Sequence, residues 1–76
     1  MDDIRCYYIK VPLCGQEYYY YYFRINWRNR LLEKITIENN IRYHTCFVRK
    51  DVNHDLLIRC GYKEISDDVF NQMREL

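Results

Sequence analysis

A run of five tyrosines and a phenylalanine, from Tyr18 to Phe23, constrains the fold of this chain more than any other stretch. Aromatic side chains fit a pleated, half-buried surface and lose rotamer freedom in a helix, so the run predicts a β-strand. A loop containing Gly15 precedes the run, and the polar residues 28–30 follow it. We therefore predict a strand over Tyr18–Trp27 with a turn at each end.

Successive side chains of a strand point to opposite faces of a sheet, which sorts this strand into two rows. One row ends in three residues that are usually buried, and its members are Tyr19, Tyr21, Phe23, Ile25 and Trp27. The other row ends in an arginine and an asparagine, and its members are Tyr18, Tyr20, Tyr22, Arg24 and Asn26. We predict that the first row faces the core and that the second lies on the outer face.

Three further strands are predicted from runs of aliphatic and aromatic residues, over Ile4–Leu13, Leu31–Glu38 and Ile41–Val48. The odd-numbered side chains of the first strand form its apolar face. The short loop of residues 14–17 carries Gly15 where a positive φ is needed, so the first two strands are predicted to form a hairpin. The last two strands form a second hairpin.

The second hairpin has two candidate registers. A two-residue loop, residues 39–40, would place Arg42 and His44 opposite isoleucines, whereas a three-residue loop, residues 38–40, avoids this pairing. We predict the three-residue loop. It places Ile35, Ile37, Ile41, Tyr43 and Phe47 in the core, and it places Lys34, Thr36, Arg42, His44 and Cys46 on the outer face.

The remaining residues favour helices. Asp51 or Asn53 can cap a helix that carries Val52, Leu56 and Cys60 on one stripe and ends at Gly61, although residues 56–58 could instead form a fifth strand. A final helix is predicted from about Asp67 to Leu76. Ser66 is its N-cap, and its apolar stripe, which we expect on the odd face of the sheet, consists of Val69, Phe70, Met73 and Leu76.

These elements predict a single small α+β domain over residues 1–76, with an antiparallel sheet of about four strands in two hairpins and one or two C-terminal helices packed on one face. A chain of 76 residues is near the lower limit at which one hydrophobic core stabilises a fold, so dimerisation would be a natural supplement. The formal net charge is only +1, with a basic centre and an acidic C-terminal part.

Location is predicted from what the sequence contains. No apolar run approaches the ~20 residues that cross a bilayer, and the N-terminus is acidic where a secretory signal would be basic, so we expect a cytoplasmic protein without membrane contact. The four cysteines show no close pairing, and we expect reduced thiols.

The predicted outer face is the candidate functional site. Tyrosines beside arginines are frequent anchors of protein interfaces, which predicts a non-catalytic module that binds a protein partner or a second copy of itself. A small inhibitor encoded by a phage or mobile element would be one example. The residues predicted to bind a partner are Tyr8, Tyr18, Tyr20, Tyr22, Arg24, Arg42 and His44. An ordinary solvated sheet face remains open as an interpretation.

Two other classes of function are alternatives. The same face could stack single-stranded DNA or RNA bases on its tyrosines, although a sequence pI of about 7.7 is low for a nucleic-acid binder. His44 and Cys46 could serve a metal- or thiol-dependent function, but a structural zinc site usually needs two closely spaced ligand pairs. Nothing orients a histidine beside Cys46 or Cys60, so we expect neither an enzyme nor a cofactor.

Overall fold

The computed structural model describes residues 3–12, Gly15 and residues 17–76. Along the chain it contains β1 (Ile4–Pro12), β2 (Tyr18–Asn26), β3 (Leu31–Glu38), β4 (Ile41–Val48), α1 (His54–Arg59), β5 (Lys63–Ile65) and α2 (Asp67–Arg74). The first four strands form an antiparallel meander and β5 pairs with β1, so the strand order is β4-β3-β2-β1-β5. The predicted α+β class, with an antiparallel sheet and two C-terminal helices, is confirmed.

The strand limits lie close to the predicted ones. β3 and β4 begin and end where the sequence indicated, and β2 ends one residue earlier, before Trp27, whose N–H donates to the Asp3 carbonyl at 2.9 Å. Gly15 has the expected positive φ of 74°. The predicted end of the first strand at Leu13 and two residues of the predicted loop, Cys14 and Gln16, lie outside the described residues.

The β3–β4 turn contains only Asn39 and Asn40, so the predicted three-residue loop is wrong. Both asparagines have positive φ, 50° and 63°, as a two-residue type I′ turn requires. Asparagine tolerates this conformation, and the turn matches the right-handed twist of the strands. Ile35 consequently lies opposite His44. This pairing buries no charge, because β4 is at the edge of the sheet and His44 is exposed.

The change of register alters which residues are in the core. Ile41, Tyr43 and Phe47 were predicted to be buried, but they are 54%, 51% and 37% exposed. Ile35 is fully buried, although its face also carries His44. The residues predicted to be in the core and those predicted to be on the outer face do not lie on separate faces of β3 and β4. Each face of these two strands carries residues from both predicted groups.

The two helices cover opposite faces of the sheet, which corrects the prediction that they pack on one face. On one side, hereafter the α1 face, the buried residues are Tyr7, Ile25, Leu32, Val52 and Leu57. On the other side, the α2 face, the buried residues are Cys6, Ile35 and Phe70, with Tyr22, Ile37, Ile65 and Met73 packed around them. The sheet is thus the middle layer of three.

This arrangement explains why the predicted outer face is wrong in its central part. Cys6 and Tyr7 are neighbours in β1 and point to opposite faces, yet they are only 2% and 0% exposed. Alternation distinguishes inside from outside only when one face of a sheet is solvated. Here α2 lies on the even-numbered face of β2 and covers Tyr22, whereas the sequence analysis placed it on the odd face.

Helix α1 begins after Asn53, whose side chain accepts a hydrogen bond from the Leu56 N–H at 2.8 Å. The helical interpretation of this segment is confirmed, and Asn53 rather than Asp51 is the cap. Leu57 is the residue that α1 buries, whereas Leu56 and Cys60 of the predicted stripe are exposed. Gly61 follows the helix with a φ of 94°, as expected of a C-terminal glycine.

Helix α2 begins where the sequence predicted. The Ser66 hydroxyl accepts from the Val69 N–H at 3.3 Å, and Asp67 and Asp68 occupy the first turn, where a carboxylate favours the helix dipole. The helix ends at Arg74, and Phe70 is completely buried. The short strand β5, which leads into α2, was not predicted, because its three residues show no periodicity.

Truncation of Phe70 tests the position of α2. We expect Phe70→Ala to lower the free energy of unfolding by about 3–5 kcal/mol, because a fully buried aromatic side chain would leave a cavity against Cys6 and Ile35. Urea denaturation followed by circular dichroism measures the effect. Phe70→Leu, with a smaller expected loss, keeps the test informative if the alanine variant does not fold.

The matched control is Gln72→Ala on the exposed side of the same helix, for which we expect a change within about 0.5 kcal/mol. Equal effects of the Phe70 and Gln72 substitutions would show that α2 does not pack on the sheet through Phe70.

Candidate functional site

All seven residues predicted to bind a partner lie on one face of the sheet. Tyr8 of β1 is paired with Tyr22 of β2, and Tyr22 is paired in turn with Ile35, which is opposite His44. Tyr20, Ile37 and Arg42 form the next row toward the loops, and the face also carries Tyr18 and Arg24. Strand alternation brought these residues together as the sequence predicted, but the face they share is the α2 face.

The charged members of the set bind other parts of the same chain. Arg24 Nε donates to Asp67 Oδ1 of α2 at 2.9 Å, and its Nη1 lies 3.7 Å from Glu33 Oε1. His44 Nε2 is 2.6 Å from Glu33 Oε2. An Arg42 N–H donates to the backbone carbonyl of Arg74. The Arg24 and Arg42 contacts fasten α2 to β2 and β4, and the contacts of Arg24 and His44 with Glu33 join these two strands to β3.

Glu33 is the centre of this network. Its carboxylate accepts from Arg74 Nε at 2.8 Å and from Arg74 Nη2 at 2.5 Å, and its side chain is only 13% exposed. Burial disfavours the charged form, but the hydrogen bonds from Arg74 and His44 outweigh it and hold the pKa of Glu33 below its ordinary value. The hydrogen bond from Arg24 likewise lowers the pKa of Asp67.

The tyrosines of the predicted set divide into two groups. Tyr8 and Tyr22 stack with their ring centroids 5.6 Å apart, and burial raises the pKa of Tyr22. Tyr18 and Tyr20 lie nearer the loops, where the Lys10 ammonium sits 3.8 Å from the centre of the Tyr18 ring. That ammonium therefore covers one face of the Tyr18 ring. In this row of tyrosines, the end with Tyr18 and Tyr20 extends beyond α2.

Four exposed apolar residues lie on β4, three of them at positions that the sequence predicted for the core. Every residue of β4 is exposed, including Val48 at 62%. On the α1 face, Ile41, Tyr43 and Phe47 form a row along the strand, and Tyr21 stands two strands away in register with Thr36 and Tyr43. We refer to residues 41–48 as the β4 surface. The position of β4 explains its exposure. It is the last strand of the meander, and the next strand, β5, pairs with β1, so β4 has a neighbour on one side only among the described residues.

The backbone of β4 has one row of polar groups turned outward. The Arg49 N–H donates to the Arg30 carbonyl at 3.0 Å, which shows that odd-numbered residues direct their backbone groups toward β3. Because these directions alternate in an antiparallel pair, the even-numbered residues direct theirs away from the sheet. They are Arg42, His44, Cys46 and Val48. Within residues 3–12, 15 and 17–76, only β3 pairs with this strand.

The described cysteines are one buried thiol and two exposed ones. Cys6 is buried, its Sγ donates to Asp67 Oδ1 at 3.6 Å, and burial together with the Asp67 charge raises its pKa to about 12. A thiol held in this way is a poor nucleophile at neutral pH. Cys46 and Cys60 are exposed free thiols. Nowhere in the described part of the chain do three His, Cys, Asp or Glu side chains gather as a metal site.

His54, the second histidine, is the first residue of α1 and contacts side chains of β1. The Tyr7 hydroxyl lies 2.6 Å from His54 Nδ1, and an Arg5 nitrogen lies 3.3 Å from the same atom. This contact gives the buried Tyr7 hydroxyl a polar partner at the edge of the core. Among the helices that the structure describes, none has the length and apolar character that crossing a bilayer requires.

Comparison with protein-family models, with characterised proteins and with solved structures found no match to this chain. Function is therefore argued from the surfaces of the molecule alone. Those surfaces comprise an α2 face whose charged groups are internally bonded and a β4 surface that is apolar and open.

The Glu33 network predicts a defined acid response. A carboxylate whose pKa is lowered by folding stabilises the protein above its unfolded-state pKa of about 4.3, and this contribution is lost as the pH falls through the lower folded-state value. We expect Glu33→Gln to cost about 1–2 kcal/mol of unfolding free energy at pH 7, since Arg74 and Arg24 lose a partner but remain partly solvated. The difference from the parent protein should shrink between pH 5 and pH 3.

Glu64→Gln is the control, because the ion pair of Glu64 with Arg5, at 3.5 Å, is exposed to solvent. Its substitution should change stability by less than about 0.5 kcal/mol. Urea titrations of both variants across this pH range provide the measurement. Identical stability and acid profiles for the two variants would contradict a central role for Glu33.

Proposed function

We propose that this protein is a non-catalytic interaction module that binds another protein through the β4 surface. The observation that carries the proposal is the exposure of apolar residues along the whole of β4, where Ile41, Tyr43, Phe47 and Val48 are each more than a third exposed. Elsewhere, both faces of this sheet carry a helix. An apolar row of this kind on a small domain is typical of a surface that contacts a partner.

The composition of the β4 surface fits a protein partner. Aromatic side chains are enriched at interfaces because they bury a large area at low entropic cost. Tyr43 and Phe47 provide two such side chains, and the outward backbone groups of β4 offer hydrogen bonds that an extended peptide or a strand can complete. Side-chain burial and main-chain pairing would therefore act together at one place.

The tyrosine and arginine set predicted from the sequence fits this function only in part. Arg24 and Arg42 already have partners within the chain, so using them at an interface would require breaking contacts that hold α2. Tyr18 and Tyr20 lie beyond α2 and remain candidates for an extension of the binding surface. A small cytoplasmic inhibitor that blocks a larger enzyme is one form that such binding would take.

Binding of single-stranded nucleic acid receives less support. A phosphate-binding face needs cations that are available to phosphates, whereas Arg24 is paired with Asp67 and the Lys10 ammonium lies over the Tyr18 ring. A nucleic-acid complex would also weaken steeply as salt is added, which separates it from a largely apolar protein interface.

Site-directed photocrosslinking tests the proposal. We expect a Tyr43→p-benzoylphenylalanine variant, illuminated in cells of its native host, to form a covalent adduct with a protein, because the Tyr43 side chain is half exposed in the middle of the β4 surface. The adduct is identified by mass spectrometry. The substitution should change the unfolding free energy by no more than about 0.5 kcal/mol, as is usual for exposed positions.

The matched control carries the same photoreactive residue at Asp68, which is exposed on α2 away from β4. We expect no adduct from position 68. Adducts with nucleic acid, equal adducts from both positions, or none from position 43 would overturn the proposed function.

A further inference from the structure

The two edges of the sheet differ in how they are protected from other strands. β5, at one edge, has only three residues, and short edge strands offer little to a foreign strand. β4, at the other edge, has eight residues and would extend about 27 Å at ~3.4 Å per residue. Proline, lysine and bulges normally protect so long an edge, and β4 contains no proline or lysine and pairs with β3 in unbroken register.

The polar side chains of β4 leave this edge accessible. Arg42 turns toward α2 and donates to the Arg74 carbonyl, and His44 turns toward Glu33 on β3. Both side chains therefore lean over the sheet rather than outward from its edge. A strand that approaches β4 in the plane of the sheet would meet backbone groups before it met a charge.

We infer that β4 pairs antiparallel with β4 of a second copy of this chain, with Thr45 on the two-fold axis, so that two five-stranded sheets become one continuous sheet. In this register His44 of each copy lies opposite Cys46 of the other, and Arg42 lies opposite Val48. These four are the residues whose backbone groups point outward. Each such pair exchanges two backbone hydrogen bonds. In this register, all four residues with outward backbone groups therefore find hydrogen-bond partners.

The side chains are complementary in the same register. On the α1 face Tyr43 of one copy meets Phe47 of the other, and the two Thr45 side chains meet at the axis. Aromatic pairs and threonine pairs are both favourable across strands. On the α2 face the two basic side chains of β4, Arg42 and His44, face Val48 and Cys46, so like charges do not oppose each other.

Both neighbouring symmetric registers are less favourable. Placing Cys46 on the axis would set Arg42 of one copy opposite Lys50 of the other, and like charges directly opposite each other are destabilising. Placing His44 on the axis would set two imidazoles directly opposite each other, and like charges in that position are destabilising whenever the rings are protonated. It would also leave the outward backbone groups of Val48 beyond the paired region. The Thr45-centred register avoids these penalties, which is the reason that we choose it.

The size of the contact determines the strength that we expect. An edge-to-edge contact between single strands is at the small end of specific interfaces, which begin near ~1,000 Å² of total buried area. The dimer should therefore form reversibly in the micromolar range, with Ile41, Tyr43 and Phe47 supplying the apolar part of the buried area. This inference rests on the proposed function, since it names the protein that the β4 surface binds.

Sedimentation velocity of the full chain, from about 1 μM to about 300 μM, tests the inference in the concentration range expected for so small an interface. We expect a shift from monomer to dimer. Cys46→Pro should weaken dimerisation about tenfold or more, because it removes an outward N–H and places a ring at the edge without removing a bond to β3. The matched control, Cys46→Ser, keeps that N–H and should dimerise like the parent protein.

A disulfide experiment determines the register without relying on the proline variant. With Cys46 and Cys60 replaced by serine, Thr45→Cys should form an intermolecular disulfide under mild oxidation, since directly opposite residues of a non-hydrogen-bonded pair lie about 4.5 Å apart at Cα. His44→Cys in the same background lies off the axis and should crosslink far less. Preferential crosslinking at position 44 would overturn the Thr45 register.

A parent protein that stays monomeric throughout, or a dimer that is unaffected by Cys46→Pro, would overturn the inference. The proposed function fails separately. A photocrosslink from position 43 to a different protein, with no self-association, would exclude the second copy as the partner and would leave binding through the β4 surface intact.

Discussion

The packing of Phe70 against Cys6 and Ile35 is the interaction on which the available surfaces of this molecule depend. It holds α2 on the face of the sheet that carries Tyr8, Tyr18, Tyr20 and Tyr22, and α1 covers the opposite face through Leu57. A small chain has few apolar side chains with which to form a core. In this protein they form two small clusters, one on each side of the sheet. Covering both faces in the middle of the sheet leaves a row of apolar side chains exposed along the β4 edge.

The charges reinforce this arrangement. Glu33 lies beneath the end of α2 and accepts hydrogen bonds from Arg74 while it contacts His44 and Arg24. Partial burial penalises the charged carboxylate, and such partners offset that penalty. Arg24 and Arg42, which the sequence predicted to bind a partner, therefore hold the helix in place. Binding through the backbone and aromatic groups of β4 requires no rearrangement of this network.

Local features of the sequence predicted much of the fold. Aliphatic and aromatic runs predicted the ends of β3 and β4, and the capping serine predicted the start of α2, because strand propensity and capping depend on neighbours in the chain. The faces and the β3–β4 register depend on which elements pack together, and two-sided burial removes the contrast that alternation needs. Tyr43 was consequently assigned to the core, and the exposed β4 edge became visible only when β5 was seen to pair with β1.

Amide hydrogen exchange along β4, followed by NMR at low and high protein concentration, tests whether the outer edge of β4 is free in the monomer and paired in the dimer. In dilute solution we expect slow exchange at Ile41, Tyr43, Thr45 and Phe47, which bond to β3, and fast exchange at Arg42, His44, Cys46 and Val48. Raising the concentration should slow the second set and leave the first unchanged. Protection of both sets in the dilute monomer, or fast exchange at the second set at every concentration, would show that β4 is not an open edge that pairs with a second copy.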